Sequence, residues 1–450
     1  MAGEMLGDAI GDEHAGSFVP YFQDAFHQKP GLEATVSSSI MTAFNLSSVF
    51  FTVVATIYGS RKSSNPIKRV IAALYLSIAA FCILALSVYM RGLAPLQHVY
   101  SYLGLLLFIS VLLAISQAYM QSGAVVICTQ LSIDGTLMGY LQMGQALQGV
   151  FGSIVNFIGT LTAVQLDHSD SRSDITRARE NASGAMIVFI TTILLQIGTR
   201  VCFARAARIS SVAGRVKNWE LNEPTQSGTS DHESPLQHLL QIQKKIWPWI
   251  LSVFMIFVVT LGVYPALTAK VRPVSPASTS IWTDVNVFVA LHIVVMNIGD
   301  LIGRRLPTLT AFFRIRRGLV AVLITGLRFL FIPLFLACNV TTVNGQSKSF
   351  ALPDLVFLFL VLLLGITTGC TATSVFLSGP QSLVPTHDRA CASEFGASQA
   401  DDDVEHDPLL YQVEESSTHD AGVASLLLSF WLVMGLTAGS GLSFAVLAIN

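Results

Sequence analysis

The sequence predicts an all-α polytopic membrane protein, and three observations lead to this fold class. Hydrophobic residues make up 52% of the 450 residues, whereas charged residues make up only 12%. Soluble globular proteins carry about 25% charged residues. The apolar residues also form long runs without Asp, Glu, Lys or Arg, and an α-helix needs roughly 20 such residues to cross a bilayer. Most of the chain is therefore expected to be membrane-spanning helix.

About ten segments are long and apolar enough to be spans. Eight of them contain no Asp, Glu, Lys or Arg, namely 34–60, 70–90, 101–133, 135–166, 181–199, 246–269, 355–377 and 424–450. Two more enclose one interior charge each: 284–303 contains Asp300, and 318–340 contains Arg328. The runs 101–133 and 135–166 exceed one bilayer thickness, so each is expected to bend or to extend beyond the membrane.

Lys and Arg in the loops predict the orientation of the chain. They are concentrated in the segments 61–69, 205–245 and 305–317, and basic loops remain in the cytoplasm. Polar segments divide the chain into a polar N-terminal segment (1–33), a helical bundle of about five spans (34–205), a cytoplasmic linker (206–245) and a second bundle of about five spans (246–450). The second bundle includes an acidic loop at 379–422. The composition of the linker and this loop is typical of disorder, and two bundles of this kind are typical of transporters.

A polar stripe in the span 284–303 is the strongest functional signal. Asn297, Asp300 and Arg304 follow the spacing i, i+3, i+7, which places them on one face of a helix. A charge at the bilayer centre costs about 2.5–3.5 kcal/mol on insertion scales, so charged residues there usually serve a function. We interpret the stripe as the lining of a polar cavity for a hydroxyl-rich solute. The alternative is a buried ion pair that only holds helices together.

Three more polar residues in predicted spans carry weaker signals. Gln145 lies in a glycine-rich stretch that permits close helix packing, and its amide suits the edge of a nucleobase. His292 lies on the same face as Asp300, where it could carry protons or simply pack. Arg328 either extends its charge to the membrane interface or forms a gating pair. The spacing of Gly435–Gly439 indicates a helix-packing contact.

Several function classes are excluded by the sequence. A net charge of −2 gives no support for nucleic-acid binding. The six cysteines lie mostly in apolar runs and not beside histidines at ligand spacing, so we expect no disulfide framework, no metal site and no cofactor. The sequence contains no GxSxG, Walker or HExxH motif, and Asp300 has no second carboxylate near it in its span. The protein is therefore expected not to be an enzyme.

Five stretches resemble the equilibrative nucleoside transporter family in their order and spacing, and a fungal-like member fits best. The first is the signature Asn297-x-x-Asp300-x-x-Gly303-Arg304. The other four are Gly144-Gln145-Ala-Leu-Gln-Gly149, the pair Ile246–Ser252 and Gly262–Ala266, the stretch Arg328–Asn339, and Ser378-Gly-Pro380 before a glycine-rich last span. The resemblance covers about residues 20–450.

The resemblance implies an eleven-helix fold related to the major facilitator architecture. It also implies facilitated passage of purine and pyrimidine nucleosides through a bilayer by alternating access. By resemblance, Asp300 and Arg304 contact the ribose, Gln145 contacts the base, and Asn297 supports the cavity. Ribose hydroxyls are donors to a carboxylate, and a buried site that pairs them rejects solutes without them.

One feature departs from the family pattern. The first family helix carries a PWN-type motif, but this sequence has no tryptophan before Trp219, and Val19–Phe22 resembles the segment just after that helix. The expectation is ten spans where the family has eleven. A transport-inactive, truncated membrane protein is therefore one alternative.

A second alternative is proton-coupled nucleoside export from a vacuole or lysosome, in which Asp300 or His292 would titrate. The acidic, dileucine-like stretch Glu405–Leu410 suggests recognition by sorting adaptors. Either the plasma membrane or a vacuolar or endosomal membrane fits the sequence.

Overall fold

The computed structural model of the protein confirms the helical fold class. It describes residue 26 and the segments 36–61, 65–93, 99–132, 135–167, 174–206, 208, 235–265, 267–274, 281–339, 353–384 and 408–448. Nearly all of these residues are in helices. Three features of the sequence analysis fall on residues outside the described ones. They are the region of the first family helix, the Val19–Phe22 match and the acidic start of the Glu405–Leu410 stretch.

The described helices follow the chain in two groups. The first group comprises α1 (Val36–Gly59), α2 (Pro66–Leu93), α3 (Val99–Leu131), α4 (Thr136–Asp167) and α5 (Asp174–Ala206). The second group comprises α6 (Pro235–Lys245), α7 (Trp247–Val263), α8 (Val285–Leu309), α9 (Gly318–Leu327), α10 (Phe331–Leu336), α11 (Asp354–Gln381) and α12 (Pro408–Ala448). A 3₁₀ turn at Arg328–Leu330 joins α9 and α10 into one continuous span.

Among the described residues, nine spans are long and apolar enough to cross a membrane. The tenth predicted span corresponds to α4, which is 32 residues long but is interrupted by glutamines and glycines. Helix α4, whose described residues are less apolar than the nine spans, is the helix that carries Gln145. We call the side with the loops 60–65 and 310–317 the predicted cytoplasmic side.

The two polar segments predicted as disordered each contain helix. Residues 235–245 of the linker form α6, and residues 408–422 of the acidic loop form the first turns of α12. Both helices begin with proline, which is favourable in a first helical turn because it needs no hydrogen bond to its nitrogen. Leu239 and Ile242 of α6 are buried against the core formed with α7 and α12, so tertiary packing stabilises a segment whose average composition is polar.

Local sequence sets the start of α8, which carries the polar stripe, and the end of the preceding span, α7. Asp284 caps α8, because its carboxylate accepts hydrogen bonds from the backbone nitrogens of Asn286 (2.9 Å) and Val287 (3.3 Å). The span predicted over 246–269 is shorter as a helix, since α7 ends at Val263, two residues before Pro265. The residue before a proline is disfavoured in helical conformation.

Apolar cores hold the helices together. One core is formed by α1, α2, α3 and α5. A second joins α6, α7, α11 and α12 to the ends of α3 and α4 on the predicted cytoplasmic side. A third joins α7, α8, α10 and α11. The packing prediction for Gly435–Gly439 is confirmed, because a Cβ at either glycine would meet backbone oxygens of α7.

Candidate functional site

Glycines bring the backbones of α8 and α11 into direct contact and thereby position the polar stripe. Gly299 and Gly303 on α8 face Gly365 and Gly369 on α11, and a Cβ at any of the four would collide with backbone atoms of the other helix. Both pairs have the small-xxx-small spacing that lets membrane helices approach closely. With one side of α8 fixed against α11, the other side faces α4.

Asp300 and Arg304 form an ion pair on α8. Arg304 Nε donates to Asp300 Oδ2 at 2.8 Å, and the two side chains are only 15% (Asp300) and 12% (Arg304) exposed. The i, i+4 spacing and the predicted pairing are therefore confirmed in this structure. An ion pair removed from water depends on further hydrogen bonds to compensate for lost solvation, and those bonds come from α4.

Arg304 reaches across to two glutamines of α4. Its Nη1 donates to Gln142 Oε1 at 2.6 Å, to the Gln142 backbone oxygen at 3.2 Å and to Gln145 Oε1 at 3.3 Å. Gln145 Nε2 in turn donates to Gln121 Oε1 of α3 at 2.8 Å. Three helices thus contribute to one polar network in an otherwise apolar interior, which we call the glutamine–arginine network (Gln121, Gln142, Gln145, Asp300 and Arg304).

Gln142 and Gln121 were missed by the sequence analysis. Gln142 is fully buried and lies three residues before Gln145, so its position on the same helical face was a signal that could have indicated it. Gln121 lies in a long run that was assessed only for the absence of charges. Nothing in the order of residues indicates that this part of α3 faces α4.

Asn297 lies where α4 and α8 cross. Its Oδ1 occupies the space that a Cβ of Gly149 would need, and its Nδ2 donates to the Ile293 backbone oxygen at 3.0 Å. Asn297 therefore lines the same interface between α4 and α8, nearly two turns from Arg304. Its described contacts are with backbone and glycine, which fits a supporting position.

Arg328 is buried and does not extend to the membrane interface, so the interfacial alternative is wrong. Its side chain is 3% exposed, and Nη2 donates to Thr260 Oγ1 at 2.9 Å and to Thr368 Oγ1 at 2.5 Å. The reason is position: the 3₁₀ turn between α9 and α10 faces α7 and α11, whose threonines supply acceptors. Thr368 directly precedes Gly369, where an added Cβ would meet Asp300 of α8.

His292 is placed apart from the polar network. It is fully buried, and its ring lies against Tyr264 (centroids 5.9 Å apart, edge-to-face) and Phe357 (5.8 Å). These aromatic contacts belong to the core between α7, α8 and α11. The structure therefore brings together Gln145, Asp300 and Arg304, with Asn297 and Arg328 next to them, but not His292.

The predicted cytoplasmic ends of the two groups of helices are in contact. Thr129 Oγ1 of α3 lies 2.7 Å from Ser425 Oγ of α12. Arg314 donates to Gln381 Oε1 at 2.5 Å, and Gly135, before α4, packs against the side chain of Gln381. On this side, the described ends of α3, α4, α11 and α12 are therefore packed against one another.

The part of the chain that the structure describes has nine candidate membrane spans and the long helix α4, with a buried ion-pair network among them. These features define an integral, multi-pass membrane protein of the solute transporter class. The family model described as Nucleoside transporter matches residues 107–397. The chain belongs to the nucleoside transporter family, as its motifs predict.

Curated relatives match parts of the chain. Equilibrative nucleoside transporter 2 of Homo sapiens is 27% identical over 208 residues, which are 46% of this chain and 37% of that protein. Equilibrative nucleoside transporter 1 of Homo sapiens is 25% identical over 329 residues, 69% of this chain and 61% of that protein. The matched part thus spans well under two thirds of the first of these relatives.

Among solved structures, the fucose:proton symporter of E. coli is similar, with 12% identity and a TM-score of 0.46. The comparison covers 96% of this chain and 95% of that chain.

Proposed function

We propose that this protein carries purine and pyrimidine nucleosides across a bilayer, down their gradient, by alternating access. The observation that carries the proposal is the position of Arg304, which is held between Asp300 on its own helix and Gln142 and Gln145 on α4. Membership of the nucleoside transporter family and relatives named equilibrative nucleoside transporters support the same substrate class.

The chemistry of the network fits a nucleoside. The ribose hydroxyls donate to a carboxylate such as Asp300, and their oxygens accept from a guanidinium such as Arg304. Gln145 both donates and accepts, so its amide matches the mixed donors and acceptors on a purine or a pyrimidine edge. A site built on such pairs rejects solutes without the hydroxyls by about 10⁴–10⁵, because buried polar groups are then left unpaired.

The network also suggests how binding is coupled to movement. Without a solute, polar groups of α3, α4 and α8 bond one another across the boundary between the two groups of helices. A nucleoside would replace the longer bond from Arg304 to Gln145 with bonds to itself, while the shorter bond to Gln142 keeps the guanidinium in position. Release on the predicted cytoplasmic side then requires that the contact between Thr129 and Ser425 opens. Arg328 would hold α7, α10 and α11 together during this movement.

The test is uptake of labelled uridine and adenosine by cells without nucleoside transport of their own. The chain is compared with Asp300→Ala and with Arg304→Lys, and each is first shown to reach the same membrane. Arg316→Lys is the matched control, since Arg316 is exposed in the loop after α8. We expect saturable uptake by the chain and by the control, and a loss of at least tenfold in the two site variants.

Two outcomes would change the proposal. No uptake from a correctly localised chain would favour the transport-inactive alternative. Uptake that rises at mildly acidic outer pH would indicate proton-coupled transport in place of facilitated diffusion. Fluorescence microscopy of the same cells would distinguish the plasma membrane from a vacuolar or endosomal membrane.

A further inference from the structure

Three potential metal ligands meet at the predicted cytoplasmic side, away from the glutamine–arginine network. His238 lies on α6, and His419 and Asp420 lie near the start of α12. Their ligand atoms all lie within 4.8 Å of one another. His238 Nε2 is 2.9 Å from Asp420 Oδ1, and the His238 and His419 rings stack with centroids 5.7 Å apart. His238 and Asp420 are 182 positions apart in the chain, so sequence spacing gave no sign of this cluster.

We propose that His238, His419 and Asp420 form a binding site for a zinc-type divalent cation that joins the linker helix α6 to the last span α12. Zinc is bound by imidazole nitrogen and carboxylate oxygen at about 2.0–2.2 Å in tetrahedral geometry. Two imidazoles and one carboxylate favour zinc over magnesium or calcium, which prefer oxygen ligands. Three protein ligands leave the fourth position for water.

The cluster has the accessibility that such a site needs. The side chains of His238 and Asp420 are each 27% exposed, so a cation can reach them from solvent. The rest of the surface of these two side chains is packed against the protein. Ligand atoms of a tetrahedral zinc site are about 3.4 Å apart, given the bond lengths above. Small side-chain rotations from the observed positions would bring the three ligand atoms to that spacing. Zinc would then replace the hydrogen bond between His238 and Asp420.

The position of the cluster gives the cation a structural effect. The helix α6 contacts α12 and also α1, so it bridges the two groups of helices. Asp420 lies five residues before Ser425, which bonds Thr129 of α3. A cation that fixes α6 on α12 would therefore stabilise the closed contact on the predicted cytoplasmic side.

Two variants separate a metal site from a simple hydrogen bond. His238→Gln keeps an amide nitrogen that can donate to Asp420 but removes the imidazole. His419→Phe keeps an aromatic ring beside His238 but removes the nitrogen ligands. Leu236→Ala, at an exposed position of α6, is the matched control. The proteins are purified with an affinity tag that contains no histidine.

Zinc binding is measured by competition with a chromogenic zinc chelator, and thermal unfolding is measured with and without ZnCl₂. We expect one zinc ion per chain and a zinc-dependent rise in Tm, both unchanged in Leu236→Ala. Affinity should fall at least tenfold in His238→Gln and in His419→Phe. No binding by the unmodified chain, or equal affinity in the two histidine variants and the unmodified chain, would overturn the proposal. Neither measurement requires transport, so the result is independent of the proposed function.

Discussion

The Nη1 atom of Arg304 lies 2.6 Å from the Oε1 atom of Gln142, a residue 162 positions earlier in the chain. This bond joins the first group of helices to the second at the level of the Asp300–Arg304 ion pair. Gln142 is fully buried, and its amide is the closest acceptor that α4 offers to the guanidinium. The function of Arg304 is therefore expected to depend on a glutamine outside the family signature.

Gln142→Leu should reduce nucleoside uptake strongly. The substitution removes a hydrogen bond to a charged group, which is worth about 1.5–3 kcal/mol, and it leaves part of the buried guanidinium unpaired. This corresponds to roughly a 10-fold to 100-fold loss in Vmax/KM. The check is the initial rate of uridine uptake, normalised to protein at the membrane. Gln241→Leu, at an exposed position of α6, should retain the rate. Equal uptake rates for Gln142→Leu and Gln241→Leu would show that Gln142 is not part of the functional site.

Gly365→Ala should destabilise the protein by about 1–3 kcal/mol, the usual cost of overpacking. An added Cβ would collide with the Met296 backbone oxygen and force α8 away from α11. Thermal unfolding in detergent measures the effect. Gly104→Ala on α3 is the control, because a Cβ there has no neighbour within 4 Å and alanine is the better helix former. A Tm that is unchanged in Gly365→Ala would contradict the close contact.

Thr368→Val should be more harmful than Thr437→Val. Both hydroxyls donate to the carbonyl four residues earlier, but only Thr368 also accepts a bond from Arg328. Loss of that acceptor leaves a buried charge less well paired, at a cost of about 1–3 kcal/mol. We expect a lower Tm and slower uptake for Thr368→Val alone. The contact between Thr368 and Arg328 would be unimportant if the two valine variants behaved alike.

The pair Thr129→Cys and Ser425→Cys should lock the predicted cytoplasmic side. The two hydroxyl oxygens are 2.7 Å apart, so cysteine sulfurs at the same positions would need only a small approach to reach the disulfide bond length of about 2.05 Å. Oxidation should block uptake in the double variant, and a reductant should restore it. Each single variant, treated in the same way, is the control. Undiminished uptake after complete cross-linking would show that this contact does not need to open.

The sequence determined the class of the protein and predicted much of the candidate site. Long uncharged runs must be spanning helices because an unpaired backbone in lipid is too costly. The spacing of Asn297, Asp300 and Arg304 fixed one helical face. Family motifs also indicated Gln145. These signals are local: they depend on residues within a few turns of one helix, so the order of residues is sufficient to find them.

Only the tertiary structure decided which faces of different helices meet. It showed that Gln121 and Gln142 complete the network, that Arg328 is buried beside threonines of α7 and α11, and that His292 lies among aromatic rings. It also gave helical structure to parts of two polar segments. The physical reason is that helix rotation and partner choice depend on the packing of side chains far apart in sequence, such as the glycines of α8 against those of α11.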